Sequence, residues 1–292
     1  MLRQPRFYLI ALSFLLSAIS SALGAGANFT AIDYPGANGT QAWGINPKGD
    51  IVGTYTTASA THGFLLSGGD FTPIDVPGST STFANSINAR GDVAGAYLDA
   101  NGVSHGFVLA DGDFTTIDFP GAKSSEILGI GANGDVVGDY NLTDAIPCCV
   151  QGKTRGYLLS GGNFTLIDVP SATLTYASGI SPQGDIVGSY FRGKSYGFVM
   201  IDSSFTTIAA PGSTFTNALG NNPRGDVVGR YSLHGSHGYL LSDGQLTTID
   251  VPGAIFTGNT AINPEGDIVG RYRSADGVFH GFLLGKGGQG GN

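Results

Sequence analysis

The chain has 292 residues, 48 of them glycine, and carries 22 Asp+Glu against 14 Lys+Arg, a formal charge of −8. An acidic surface repels phosphate backbones, so no nucleic-acid partner is expected. The glycines follow no collagen period and recur at fixed places beside apolar runs, which marks turns in an ordered fold and excludes a flexible linker.

Residues 1–27 read as a secretory signal. Arg3 and Arg6 supply the positive start, 7–16 an apolar stretch, and 17–27 a run of small residues offering cleavage after Ala25 or Ala27. That apolar stretch falls short of the roughly 18 residues a membrane span needs. The expectation is a secreted chain, extracellular or periplasmic, with no membrane anchor.

From residue 28 to 284 the chain is one unit repeated. Its clearest copy is Gly44-Ile45-Asn46-Pro47-Lys48-Gly49-Asp50-Ile51-Val52-Gly53, followed by His62-Gly63-Phe64-Leu65-Leu66. The Gly-Asp pair returns at Asp92, Asp135, Asp185, Asp226 and Asp267, in steps of 42, 43, 50, 41 and 41 residues. Six units follow, with an insertion in the third around Cys148 and Cys149. A unit of this length suits four short strands, the size of a propeller blade.

Turn chemistry cuts each unit into strands. A short apolar piece at 43–45 ends in Asn-Pro-Lys-Gly, whose glycine accepts a positive φ. A β-branched strand follows at 50–55, then a strand at 62–67, a Gly68-Gly69 corner that closes two-residue hairpins, and a strand at 70–76 stopped by Pro77-Gly78. Residues 28–33 form a last strand with no partner before it, and 280–284 form a third strand with no partner after it. Joining them closes a ring and removes both free edges. An open β-solenoid also stacks short strands but gives no reason for complementary ends. The predicted fold is therefore all-β, a single-domain six-bladed β-propeller of four-stranded antiparallel blades over 28–284, with a disordered glycine-rich tail at 285–292.

The motif series, Gly-Ile-Asn-x-x-Gly-Asp-Ile-Val-Gly and then His-Gly-Phe, resembles the bacterial extracellular repeats of the HAF family, named for a His-Ala-Phe signature. Here glycine replaces alanine throughout, and two units read Arg155-Gly156-Tyr157 and Tyr196-Gly197-Phe198. The resemblance implies a secreted, propeller-like bacterial repeat protein and no catalytic residues.

Counting outward from the hairpin corner places His62 opposite Asp75, His105 opposite Asp118, Arg155 opposite Asp168, and His237 opposite Asp250; ring closure adds His280 and Asp33. In the fourth unit the same count meets Tyr196 and Ala209, so acid and base vanish together. These are read as structural cross-strand pairs, because histidines on the third strand out lie about 10 Å beyond the innermost strand and cannot share one metal ion. The Gly-Asp aspartates read as turn hydrogen bonds, and Asp99-Ala100-Asn101-Gly102 is too short for a calcium loop. Neighbouring Cys148 and Cys149 offer neither a CxxC motif nor a disulfide framework. No metal or cofactor is expected.

Ligands on propellers sit where loops differ. The loops before the first strand of each unit carry Phe83, Tyr176, Phe215 and Phe256, with Trp43 close by, and the insertion carries Cys148 and Cys149; these are the candidate ligand-facing residues. The expected function is a non-catalytic binding or surface-interaction module, monomeric, holding a glycan or a protein. The alternative is a carbohydrate-active hydrolase or lyase at the channel mouth using Glu126, Asp139 and Asp144, the only loosely grouped carboxylates.

Overall fold

The computed structural model describes residues 28–142 and 154–286. Residues 1–27, where a secretory signal is expected, Asp144, Cys148, Cys149 and the residues beyond Lys286 lie outside the described residues. The strands are β1 (Phe29–Ile32); β2 (Gly39–Ile45), β3 (Ile51–Thr56), β4 (Thr61–Ser67) and β5 (Asp70–Ile74); β6 (Ser81–Ile87), β7 (Val93–Leu98), β8 (Ser104–Ala110) and β9 (Asp113–Ile117). They continue as β10 (Ser124–Ile130), β11 (Val136–Asn141), β12 (Arg155–Ser160) and β13 (Asn163–Ile167); β14 (Leu174–Ile180), β15 (Ile186–Arg192), β16 (Lys194–Ile201) and β17 (Ser204–Ile208). The last are β18 (Phe215–Asn221), β19 (Val227–Ser232), β20 (Ser236–Ser242) and β21 (Gln245–Ile249); β22 (Phe256–Ile262), β23 (Ile268–Arg273) and β24 (Phe279–Leu284).

These strands build a β-propeller of four-stranded antiparallel blades, and the first strand closes it: β1 pairs antiparallel with β24, Phe29 facing Leu284 and Ile32 facing Gly281. One departure from six separate blades appears. Four sheets have four strands, whereas β14 to β21 form one eight-stranded sheet, joined by a single parallel bridge between Ser195 and Phe215. The cause is local. The fourth unit replaces the longer second-to-third-strand loop with Gly193 alone, at φ 74°, so its hairpin stays paired out to Arg192 and Lys194 and reaches the next unit's first strand.

The core lies between units. Six apolar clusters each join a valine or alanine of one unit's second strand to the third-strand aromatic of the next: Val52 with Phe107, Ala94 with Tyr157, Val137 with Phe198, Val187 with Tyr239, and Val228 with Phe282. The sixth joins Val269 to Phe64, across the junction of last and first units. Second strands such as β3 are buried on both faces for this reason.

The innermost strands are longer than the short apolar pieces that turn chemistry indicates. They begin four residues earlier, at Gly39 in the first unit, which moves Phe83, Tyr176, Phe215 and Phe256 from loops into strands. Their second residue explains the extra length. Thr40, Thr82, Ser125, Thr175, Thr216 and Thr257 are all buried, and each hydroxyl accepts the backbone N–H six residues earlier, at 2.9–3.2 Å. A donor arriving from the preceding strand's exit is thus satisfied in the interior.

Candidate functional site

The hairpin count from the sequence is reproduced as contacts. His62 Nδ1 lies 2.9 Å from Asp75, and His105, His237 and His280 lie 2.7 Å from Asp118, Asp250 and Asp33. Arg155 Nε reaches Asp168 at 3.0 Å. A tyrosine of the second strand, unrecognised in the sequence though it recurs five residues after each Gly-Asp aspartate, meets each histidine ring: Tyr55 stacks on His62 at 5.0 Å, Tyr97 on His105 at 5.2 Å and Tyr272 on His280 at 5.0 Å, and Tyr231 lies tilted against His237 at 5.3 Å. In the fourth unit, where tyrosine replaces histidine, Tyr190 stacks on Tyr196, and in the third, where Arg155 does, Tyr140 stacks on Phe119 at 3.8 Å. Each acid stands at a hairpin's outer end, where such a pair contributes about 0.2–1 kcal/mol to register.

One histidine has a neighbour that the repeat pattern did not single out. Ser274 Oγ lies 3.1 Å from His280 Nε2, giving a Ser–His–Asp series with Asp33. The hydroxyl has one proton, however, and also faces Asp276 Oδ1 at 2.5 Å and the Val278 carbonyl at 3.1 Å. The ionised carboxylate is the strongest acceptor of the three, so Ser274 closes a tight loop and is not poised as a nucleophile. Among the described residues, no three His, Cys, Asp or Glu side chains group as metal ligands. The Gly-Asp aspartates serve their own turns: Asn46 Nδ2 donates to Asp50 at 2.8 Å, and Asn88, Asn222 and Asn263 repeat the contact with Asp92, Asp226 and Asp267.

All six innermost strands line a central cavity of about 370 Å³. Each carries a register shift after its fourth residue. A bulge there re-aims the fifth side chain, and Trp43, Asn85, Leu128, Ser178, Leu219 and Thr260 all face the cavity. The first and fifth residues vary, whereas the second, Thr or Ser, and the second-strand glycine facing the fourth keep one pattern. The third residue and the one facing it across to the second strand do not: the pairs are Gln41 with Thr54, Phe83 with Ala96, Glu126 with Asp139, Tyr176 with Ser189, Asn217 with Arg230, and Gly258 with Arg271. This layer is acidic in the third unit and basic in the last two. Glu126 and Asp139 therefore sit on strands β10 and β11, not in loops, and face each other directly.

The layer's electrostatics follow from its burial. Arg271 lies over Trp43 at 4.3 Å, over Phe256 at 5.6 Å and over Phe279 at 5.8 Å; Arg230 lies over Phe215 at 4.7 Å and Phe256 at 5.3 Å. Such stacking holds a guanidinium without neutralising it. Burial, then the neighbouring Arg230, pushes Arg271 down to about 10, and burial lowers Arg230 as well. Glu126 lines the cavity and accepts from Ser104 at 3.0 Å. Asp139 lies behind it, 7% exposed, and burial first and the Glu126 charge second raise its carboxyl well above the ordinary carboxylate range.

That shift sets a pH dependence. A carboxyl raised in the folded state keeps its proton where the unfolded chain has released it, so its stabilising effect is fully present below about pH 4 and is lost as pH rises through the folded value. Asp139→Asn keeps the shape and removes the titration. The variant is expected to melt close to wild type near pH 4 and above it at pH 7.5, in paired thermal melts; equal melting points at both pH values would refute the buried-acid account.

No protein-family model matches the chain, and no curated protein sequence matches it. Solved structures do. The putative TolB from Agrobacterium tumefaciens is 15% identical, covering 85% of this chain and 90% of its own, with a TM-score of 0.58. The β-propeller domain of the Trilobed protease from Pyrococcus furiosus, described as having an open velcro topology, is 11% identical over 84% of this chain and 95% of its own, at 0.51. A mutant of the Aleuria aurantia lectin in complex with Fucα1-6GlcNAc is 11% identical, covering 88% of this chain and 91% of its own, at 0.50. At such identities the likeness establishes the β-propeller fold alone.

Proposed function

We propose that this chain is a secreted, non-catalytic binding module of the HAF repeat type, with six blades and a ligand seated at the channel mouth. The eight-stranded sheet counts as two blades in this reading, since one parallel bridge is all that joins its halves. The observation that carries the function is the variable layer. A ring that keeps a threonine or serine, a glycine and an aromatic in unit after unit, yet varies charge at the third-residue layer and size at the cavity-facing fifth residue, has its specificity at those levels. A glycan is the first ligand class to try, because a lectin with the same fold holds a sugar.

The hydrolase reading keeps one supporting observation, the facing carboxyls of Glu126 and Asp139. Cleavage of a glycosidic bond needs two carboxyl groups flanking that bond. Only Glu126 lines the cavity, with Asp139 buried behind it, which favours binding over turnover.

A thermal-shift screen against neutral and acidic oligosaccharides, peptidoglycan fragments and candidate protein partners tests the reading. A ligand held at 100 times its dissociation constant adds about 2.7 kcal/mol to stability, and Ala substitutions at Trp43 or Phe83 should abolish that gain. A flat screen across every class would overturn it.

A further inference from the structure

We propose that Arg230 and Arg271 form a site for an oxyanion, a carboxylate or a sulfate or phosphate ester, carried by the ligand beside the central cavity, where Arg271 lies over the cavity-lining Trp43. The inference deepens the binding reading and rests on it. The chain is acidic overall, and of its other described arginines Arg90 pairs with Asp92, Arg224 with Asp226 and Arg155 with Asp168, while Arg192 and Arg273 donate to the Pro170 and Gly277 carbonyls. Among the described residues, no Asp or Glu lies within ion-pair distance of Arg230 or Arg271. Yet these are the two arginines brought side by side, each half-buried and flanking the ring of Phe256.

Their hydrogen bonding is as open as their charge. A guanidinium offers five N–H donors in a planar fork. Arg271 gives one to Gln41 Oε1, and Arg230 gives one to Ser236 Oγ at 3.3 Å. The aromatic faces of Trp43, Phe215, Phe256 and Phe279 fix the two forks in place but accept none of the remaining donors in the way an oxygen would. Two like charges held together, partly desolvated and rich in unused donors, match the bidentate geometry of a carboxylate, sulfate or phosphate. The apolar rings around them suit the body that bears it.

Tryptophan fluorescence reads this site directly, because Trp43 is the chain's single tryptophan and lies against Arg271. The secreted chain is titrated with a galacturonate trimer, a sulfated disaccharide and inorganic phosphate, with chloride holding the ionic strength constant. At least one oxyanion should give a saturable change, and the arms separate carboxylate from sulfate and phosphate. Arg230→Gln and Arg271→Gln should each weaken it about tenfold or more, the loss of a charge-assisted contact. Arg271→Lys, which keeps the charge and loses the fork, should fall between, and covers the case in which a Gln variant does not fold. Responses no different from chloride in the wild type, or Gln variants that bind like wild type, overturn the inference. A neutral oligosaccharide that perturbs Trp43 equally in wild type and Gln variants would do the same while leaving the binding module standing.

Discussion

Deleting Phe29–Ile32 from the chain is expected to lower the melting temperature by on the order of 10 °C and to make the protein self-associate. Ile32 is 5% exposed and joins the cluster between last and first units, and Phe29 meets Phe282 edge-on at 5.4 Å. Burying Ile32 fully and Phe29 in part contributes about 2–5 kcal/mol, and 1 kcal/mol is roughly 2–4 °C in a domain near this size. The backbone consequence is separate. Without β1, the outer edge of β24 loses its partner at Phe282, Leu283 and Leu284, and an unpaired apolar edge recruits another strand. Circular dichroism melts and size-exclusion chromatography check both parts. A peptide spanning 28–34, added in trans, should restore the melt, whereas an unchanged melting point in a monomeric deletion would show that the ring does not depend on this strand.

Gly95→Ala is expected to cost more than about 3 kcal/mol, beyond the usual range for overpacking. Gly95 lies in mid-strand, and a Cβ there would stand 1.8 Å from the Phe83 carbonyl oxygen and 3.0 Å from the ring of Phe107. The first obstacle is backbone and cannot rotate away. The equivalent glycines meet the same carbonyl, at 2.1 Å for Gly53, 1.9 Å for Gly138, 2.0 Å for Gly188, 2.1 Å for Gly229 and 2.3 Å for Gly270. This is why the glycine of Ile-Val-Gly returns in every unit; it allows close approach and is no turn residue. Gly68→Ala is the control, since its Cβ would meet nothing within 4 Å and only its φ of 60° is unfavourable, a cost of about 1–2 kcal/mol. Urea unfolding of the pair decides. Equal losses would mean that the close approach relaxes at little cost.

Much of this molecule is legible before folding because it is written six times. Gly68-Gly69 fixes a hairpin corner, and pairing outward from a known corner reaches His62 and Asp75 without further information. Repetition then supplies the check, through the joint loss of acid and base at Tyr196 and Ala209. The innermost strand is harder to read. Gly39-Thr40-Gln41-Ala42 has few β-branched or aromatic residues, and it is a strand because Thr40 is buried against a backbone donor and Ala42 against the neighbouring unit. Propensity carries little of that, as packing outweighs it in sheets.

The candidate site was legible only in pieces. Phe83, Tyr176, Phe215, Phe256 and Trp43 are marked by being aromatic in a repeat that otherwise varies little. The charged pairs of the layer are not: a bulge offsets each innermost strand by one residue against its neighbour, which hides the facing of Glu126 with Asp139 and of Gly258 with Arg271 from any simple count. Trp43 and Arg271 stand at opposite ends of the sequence, and only ring closure stacks them. The sequence by itself determined the unit, its hairpins, its register and the fact that its two ends complete each other, because turn chemistry and period-2 alternation act over a few residues. Tertiary structure decided which side chains meet around the channel, because that depends on how one unit's face lies against the next, and no local rule of chain geometry contains it.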